Sequence, residues 1–486
     1  MFEDFRRLFR HSLTYGIGRS ANKLASFLIL PIILRYLTPE DYGILEIFTV
    51  TVSILTTVLG LGMESAIFRY YYQAESPEKK KRLLSSSLWG MILTSIPLIV
   101  IITLWSGTFS KYFWNSAIYT SFFVVIFITI GLNILKTIPL ATLRAKEESI
   151  KYTIFTLIGL FSVLFFNLYF VVVLKKSIFG ILLGNMIGGL IGLIILILAI
   201  RRDIGFIFST QEFKQLVKFG LPITTILISY LIINVSDRFF LKHFSTMSEV
   251  GCYALGYRFG ILIHVLLVEP FNMAWKPFAM SVVDKENAKD IYSTTLTYFL
   301  FVALLMWLGL SVFSKDIIQI IAPPSYWRAY TVIPIVALAY LFLGISYNVS
   351  VGLYIREKTK YYPYVAAISV IMNLLLNWLL IPRWGMMGAA IATLISYITM
   401  AALMYGMSMH FFAYQYEFGR ILKLILVCGG LCVLFYVIPT QALLLNLSIG
   451  IIIIIGFPLI LYFSGFLHRN EVDRIKLFLA KNAQDK

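Results

Sequence analysis

Charge is scarce in this chain: only 13% of its 486 residues are Asp, Glu, Lys or Arg, about half of the roughly 25% found in a soluble domain. A soluble fold of this length cannot cover its apolar surface with so few charges. Cysteine is scarcer still. Cys252, Cys428 and Cys432 all fall in apolar runs, which excludes a disulfide scaffold and offers no metal-ligand spacing. The five histidines, His11, His243, His264, His410 and His468, are scattered and do not pair. There is no G-x-x-x-x-G-K-[ST] phosphate loop. There is also no soluble stretch long enough to hold a nucleotide-sugar. These absences argue against an enzyme, and against an integral glycan polymerase in particular. Such a polymerase needs a large outer catalytic loop, and the longest outer connection expected here runs only from Ser314 to Tyr330.

What the chain does have is apolar and aromatic residues, 59% of the total, and a mean hydropathy of +0.85. The reading is an all-α polytopic membrane protein. A span needs about 20 mostly apolar residues. That criterion predicts fourteen spans, near 12–36, 42–70, 84–105, 118–143, 152–174, 178–200, 216–241, 251–281, 291–313, 331–355, 361–381, 385–409, 421–439 and 442–465. The connections alternate in charge. Arg6, Arg7 and Arg10, then Lys79 to Arg82, then Arg144, Lys146 and Lys151, then Arg201, Arg202 and Lys214 lie on one side. The same side carries Lys285 and Lys289, Arg356 to Lys360, Arg420 and Lys423, and the basic C-terminal tail. The opposite side has far fewer cations, among them Lys111, Lys175, Lys242 and Arg328. The positive-inside rule places the rich side, and both termini, in the cytoplasm. The net charge of +17 is then topology, with no nucleic acid implied. The start carries no small-residue cleavage site, so the first span is expected to stay.

Two segments echo each other at a fixed offset. Leu37 to Gly43 follows the first span and Ser245 to Gly251 follows the seventh. Each is a short polar turn ending in an acidic residue, one more residue and glycine. Spans 1–6 and 7–12 therefore read as two copies of one unit, related by an axis along the membrane normal. The expected organisation is a six-helix lobe at 1–210, a second at 211–415, and an extra helix pair with a cytoplasmic tail at 416–486.

Polar residues inside the spans each need a reason. Arg19 and Lys23 share one face of the first span. Glu46 and Glu64 share a face of the second. Asn234, Asp237 and Arg238 sit at i, i+3, i+4 on the seventh, read either as a structural pair holding an outer gate or as part of a site. On the eighth, Arg258, Glu269 and Lys276 fall within about 20° of one face of a straight helix, with Asn272 close by. Asn373 and Asn377 on the eleventh suit helix hydrogen bonding. The substrate-binding candidates are Arg19, Lys23, Arg258, Arg238, Lys276 and Asn272. The coupling candidates are the carboxylates Glu64, Glu269 and Asp237. Tyr15, Tyr257 and Trp275 are aromatic candidates for stacking on sugar faces. Converging cationic faces suit an anionic head group, since Arg and Lys bind phosphate strongly in a dry site.

Several motifs in order carry a resemblance: Gly16-Ile-Gly-Arg-Ser-Ala-Asn-Lys23, Leu30-Pro31, Arg35 to Gly43, Gly60 to Tyr70, Ser236-Asp-Arg-Phe-Phe240, Tyr253 to Arg258, and Pro382 to Ala390. With them the chain resembles the bacterial oligosaccharide flippases of polysaccharide biosynthesis, within the multidrug, oligosaccharidyl-lipid and polysaccharide exporter superfamily. The resemblance implies a fourteen-helix, two-lobed transporter in the cytoplasmic membrane. The implied cargo is a polyprenyl-diphosphate-linked oligosaccharide, moved from the inner to the outer leaflet. Membrane lipid and the polymerisation machinery are the other implied partners. No cofactor is implied; a coupling ion, proton or sodium, is left open. The alternatives are a drug or small-cation exporter of the same superfamily, which would prefer an acidic cavity, and the glycan polymerase already weighed.

Overall fold

The computed structural model describes residues 27, 29–438 and 443–466. In chain order the helices are α1 (Pro39–Leu59), α2 (Met63–Gln73), α3 (Pro77–Leu104), α4 (Ser106–Trp114), α5 (Thr120–Ala145), α6 (Ser149–Leu168), α7 (Ser177–Ala199) and α8 (Thr210–Phe244). They continue with α9 (Met247–Gly260), α10 (Glu269–Ser281), α11 (Ala288–Ile321), α12 (Ile333–Val349), α13 (Val351–Ile355), α14 (Tyr362–Phe411), α15 (Phe418–Val437) and α16 (Leu443–Phe463). No strand occurs among the described residues. Twelve helical stretches among them are long and apolar enough to cross a membrane. One of these, Thr359–Phe411, holds the eleventh and twelfth expected spans. They are joined at Gly385, whose φ of 52° and ψ of −130° are not helical. Of the first expected span, residues 27 and 29–36 are described, and they are helical. The protein is an all-α, multi-pass membrane protein. Its apolar outer surface is wide, with Leu104 80%, Leu444 79% and Phe463 81% exposed, as lipid solvation allows.

The chain packs as two compact units. The first ends at Gly251 and takes in Ile321–Pro323; the second is Cys252–Ile320 with the chain from Pro324 on. In the first unit helix starts follow local chemistry. Thr38 closes a capping box: its N–H donates to Asp41 Oδ2 and its Oγ1 accepts from Asp41 N, both at 3.1 Å. Pro39 fills the first turn, where its missing N–H costs nothing. Ser76 caps α3 and Ser209 caps α8 in the same manner. Between α1 and α2, Gly62 takes φ 61°, a backbone state that glycine adopts freely.

Glycine then decides how closely helices approach. Gly180, Gly184, Gly188 and Gly192 recur every fourth residue on α7. A Cβ at Gly188 would lie 2.5 Å from the Val163 backbone, and one at Gly184 2.1 Å from Asn167 Oδ1. So α6 and α7 meet almost backbone to backbone, the small-residue packing of membrane helices. The two similar segments, Leu37–Gly43 and Ser245–Gly251, also meet. A Cβ at Gly43 would sit 2.0 Å from Met247 O, and one at Gly251 1.9 Å from Pro39 O. Thr246 Oγ1 accepts from Glu249 N at 3.2 Å, the counterpart of Thr38 and Asp41. At the other end of α8, Gly220 and Gly62 press together with equally little room.

In the second unit α12 and α14 pack along each other. Phe299 and Val268 close on Gly344, and Val336 on Gly260. The last two helices attach to α11: Tyr436 Oη donates to Ser311 O at 3.0 Å, and Asn446 Nδ2 to Asp316 Oδ2 at 2.7 Å.

Candidate functional site

A charge at mid-bilayer costs at least about 2.5–3.5 kcal/mol on insertion scales, so the partners of each such group matter. Arg19 and Lys23 lie outside the described residues. In the first unit, Asp237 is fully buried and Arg238 is 4% exposed. Arg238 Nη1 donates to Asp237 Oδ1 at 2.6 Å and to Asn234 O at 2.7 Å. Its Nε lies 3.5 Å from Glu46 Oε1 on α1. One guanidinium thus faces two carboxylates, and the cluster ties α8 to α1. One turn further, Lys242 Nζ lies 3.8 Å from the centre of the Trp114 ring and donates to Phe113 O at 2.9 Å. Glu64 on α2 accepts a hydrogen bond from Arg144 on α5, whose guanidinium also lies over the Phe68 ring at 4.9 Å.

At the end expected to be cytoplasmic the pairing is dense. Arg82 Nε donates to Glu212 Oε1 at 2.6 Å. Lys146 Nζ donates to Asp203 Oδ2 at 2.8 Å and lies 3.3 Å from Glu148, which also meets Lys151 at 3.0 Å. Burial by itself would lower the Lys146 pKa. The hydrogen bond and charge of Asp203, with Glu148, outweigh it and hold the ammonium above its ordinary range. Burial pushes Glu148 up, but Lys151 and Lys146 outweigh it and hold the carboxyl below its ordinary range.

In the second unit the eighth span is not a straight helix. A π-helical turn, His264–Val268, separates α9 from α10. Pro270 follows it in the first turn of α10, and its missing N–H leaves a carbonyl of the preceding turn without its α-helical partner. A π turn carries one extra residue, about 100° of rotation. Glu269, Asn272 and Lys276, spaced i, i+3, i+7, still share a face, but Arg258 does not continue it. The expected single stripe is corrected to this extent. Arg258, Glu269 and Asn272 are half-buried and Lys276 is exposed, 6.0 Å from the Tyr354 ring. Asn272 Oδ1 is buried with no hydrogen-bond partner. Tyr257 and Trp275 pack in the interior: the Tyr257 and Tyr340 hydroxyls are 2.6 Å apart, and Trp275 Nε1 donates to Asn348 O at 3.3 Å. Asn377 Nδ2 donates to Asn373 Oδ1 at 3.1 Å along α14.

The sequence reading passed over Lys136. It lies within the fourth expected span, a lone cation in an apolar run, and that isolation was the available signal. Its ammonium rests against Gly189 and Gly192 of α7, and it makes no ion pair or hydrogen bond among the described residues. Among those residues no three His, Cys, Asp or Glu side chains gather to hold a metal.

Residues 8–283 match the family described as polysaccharide biosynthesis protein. The chain belongs to this family. Among its relatives is Lsg locus putative protein 1 of Haemophilus influenzae, 23% identical over 69% of this chain and 84% of that protein. Another is the probable low-salt glycan biosynthesis flippase Agl15 of Haloferax volcanii, 21% identical over 39% of this chain and 45% of that protein. The fold of this family member is also that of solved transporters. Lipid II flippase MurJ in an inward closed conformation aligns with a TM-score of 0.73 at 20% identity, over 93% of this chain and 99% of that one. An inward-facing multidrug resistance MATE family transporter of the MOP superfamily aligns with a TM-score of 0.65 at 13% identity, over 81% and 94%.

Proposed function

We propose that this family member is a flippase that carries a polyprenyl-diphosphate-linked oligosaccharide from the inner to the outer leaflet of the cytoplasmic membrane. The family match over residues 8–283 carries this reading, and the fold shared with a lipid II flippase supports it. Transport runs by alternating access between the repeat lobes 1–210 and 211–415, with both termini cytoplasmic. Arg19, Lys23 and Arg258, with Lys276 and Asn272, hold the diphosphate in a cationic cavity. The glycan sits in water and the polyprenyl tail stays in lipid. Arg238 already faces Asp237 and Glu46, so its part is to position α8 against α1 rather than to meet cargo. Glu269, or Glu64 released from Arg144, is the coupling carboxylate for a proton or sodium ion. The fold shared with a multidrug transporter favours one second reading, export of a small organic cation. The cationic character of the candidate set disfavours it.

The test is deletion of the gene followed by analysis of lipid-linked glycans by leaflet. Accumulation of an unpolymerised repeat unit in the inner leaflet is the expected result. A pool of monomer in the outer leaflet points instead to a polymerase, and an unchanged lipid-linked pool refutes both. Reversing the charge at Lys23 and Arg258 together is expected to abolish flipping; unchanged transport would remove this site.

A further inference from the structure

We propose that Lys136 is an anion-binding residue in the middle of the first unit, separate from the cations assigned above, and that it takes a phosphate or carboxylate oxygen of the cargo. The assignment to cargo rests on the flippase reading; the anion site itself rests on the geometry around the ammonium.

Depth is the first argument. Lys136 lies more than two turns from either end of α5. A helical side chain leans toward its own helix N-terminus. The nearer end of α5 is its C-terminus, so the ammonium leans away from the closer surface and does not snorkel there. The structure agrees. A methyl group added at Gly189 would lie 3.2 Å from Nζ, and one at Gly192 4.0 Å. Gly189 is itself more than two turns inside α7, so the charge sits level with the middle of that helix.

Pairing is the second argument. Arg82, Arg144, Lys146 and Arg238 of the same unit each have a carboxylate within ion-pair distance. Lys136 has none among the described residues. The side chain is half-buried rather than sealed.

The surroundings give the third. Asn133 lies one turn before Lys136 on α5, and Asn185 one turn before Gly189 on α7. Asn185 Oδ1 accepts from Asn167 Nδ2 at 3.2 Å, which leaves its own amide N–H groups as donors. An ammonium with no carboxylate in ion-pair reach among the described residues suits an anion and repels a cation. The glycines at Gly189 and Gly192 leave room for the end of the lysine chain.

The experiment uses the full chain in proteoliposomes. Lysine acylation at Lys136 is read by mass spectrometry, alone, with inorganic pyrophosphate, and with a polyprenyl-diphosphate-linked oligosaccharide. Slower acylation with the lipid-linked probe is the expected result. Protection by pyrophosphate alone keeps the anion site but overturns the assignment to cargo. Equal acylation under all three conditions, or none under any, overturns the site. Charge is then tested separately. In a chain with Cys252, Cys428 and Cys432 replaced by alanine, Lys136→Cys is expected to lower transport about tenfold or more. Aminoethylation of that cysteine, which restores an ammonium, is expected to recover transport, while neutral methylthiolation is not. Equal recovery by both reagents would reduce Lys136 to a packing residue. If the parent chain moves no lipid-linked glycan, the flippase reading falls, and the acylation experiment still decides the anion site by itself.

Discussion

Replacing Arg238 by leucine removes a positive charge from a buried cluster. Asp237 is then left fully buried, with Glu46, 23% exposed at its side chain, beside it. Three contacts disappear together: 2.6 Å to Asp237, 2.7 Å to Asn234 O and 3.5 Å to Glu46. Removing one partner of a buried pair costs about 3–5 kcal/mol, because the remaining charge stays buried. At about 1.4 kcal/mol per tenfold, that is a more than hundredfold loss in the folded-to-unfolded ratio. Arg238→Lys keeps the charge and loses the planar fork, so it should cost about 1–2 kcal/mol. Adding Asp237→Asn to Arg238→Leu should restore part of the loss, giving a double-mutant coupling of the sign expected for an attractive ion pair. The measurement is reversible unfolding of the purified protein in mixed detergent micelles titrated with dodecyl sulfate. If Arg238→Leu lies within about 0.5 kcal/mol of the parent, a range ordinary for surface substitutions, the cluster is not an ion-paired clasp and the reasoning fails.

Four further outcomes are expected. Gly188→Ala puts a Cβ 2.5 Å from the Val163 backbone and should destabilise by about 1–3 kcal/mol in the same titration, as overpacking does. Gly429→Ala on α15 meets nothing within 4 Å and should be neutral or slightly stabilising, by its gain in helix propensity; equal effects at the two sites would refute the packing argument. The Lys146–Glu148–Asp203 group should stabilise only inside a pH window. Glu148, held low, contributes above the ordinary carboxyl value of about 4.3 and is lost as pH falls through its lower folded value. Lys146, held high, contributes below about 10.4 and is lost as pH rises through its higher folded value. With these side chains about a quarter exposed, each contribution should stay near 1 kcal/mol or below; a Glu148→Gln profile parallel to the parent at every pH would contradict it. Trp114→Leu should weaken the hold on Lys242 by about 0.5–2 kcal/mol, and trypsin cleavage at Lys242 in proteoliposomes should speed up; unchanged cleavage would show that the ring does not restrain it.

Local chemistry made much of the fold legible in the chain itself. Runs of apolar residues set the spans, because hydrocarbon tolerates only backbone that satisfies its own hydrogen bonds. Thr38 with Asp41 and Thr246 with Glu249 are helix caps that can be read within four residues. The candidate site was legible only as a set of residues too costly to be accidental.

Pairing was a different matter, since it depends on which helices lie side by side. Nothing near Glu64 in the chain names Arg144 as its partner, and nothing near Arg238 names Glu46; those pairs formed when α2 met α5 and α8 met α1. The π turn before Glu269 also escaped a straight-helix projection, although Pro270 hinted at it by lacking an N–H. Residue order along this chain determined the helices and their ends, which are short-range matters of hydrogen bonding and hydrophobicity. Tertiary packing alone decided which charges within the spans are neutralised and which, like that of Lys136, have no ion-pair partner among the described residues, because a charge's fate depends on its neighbours in space.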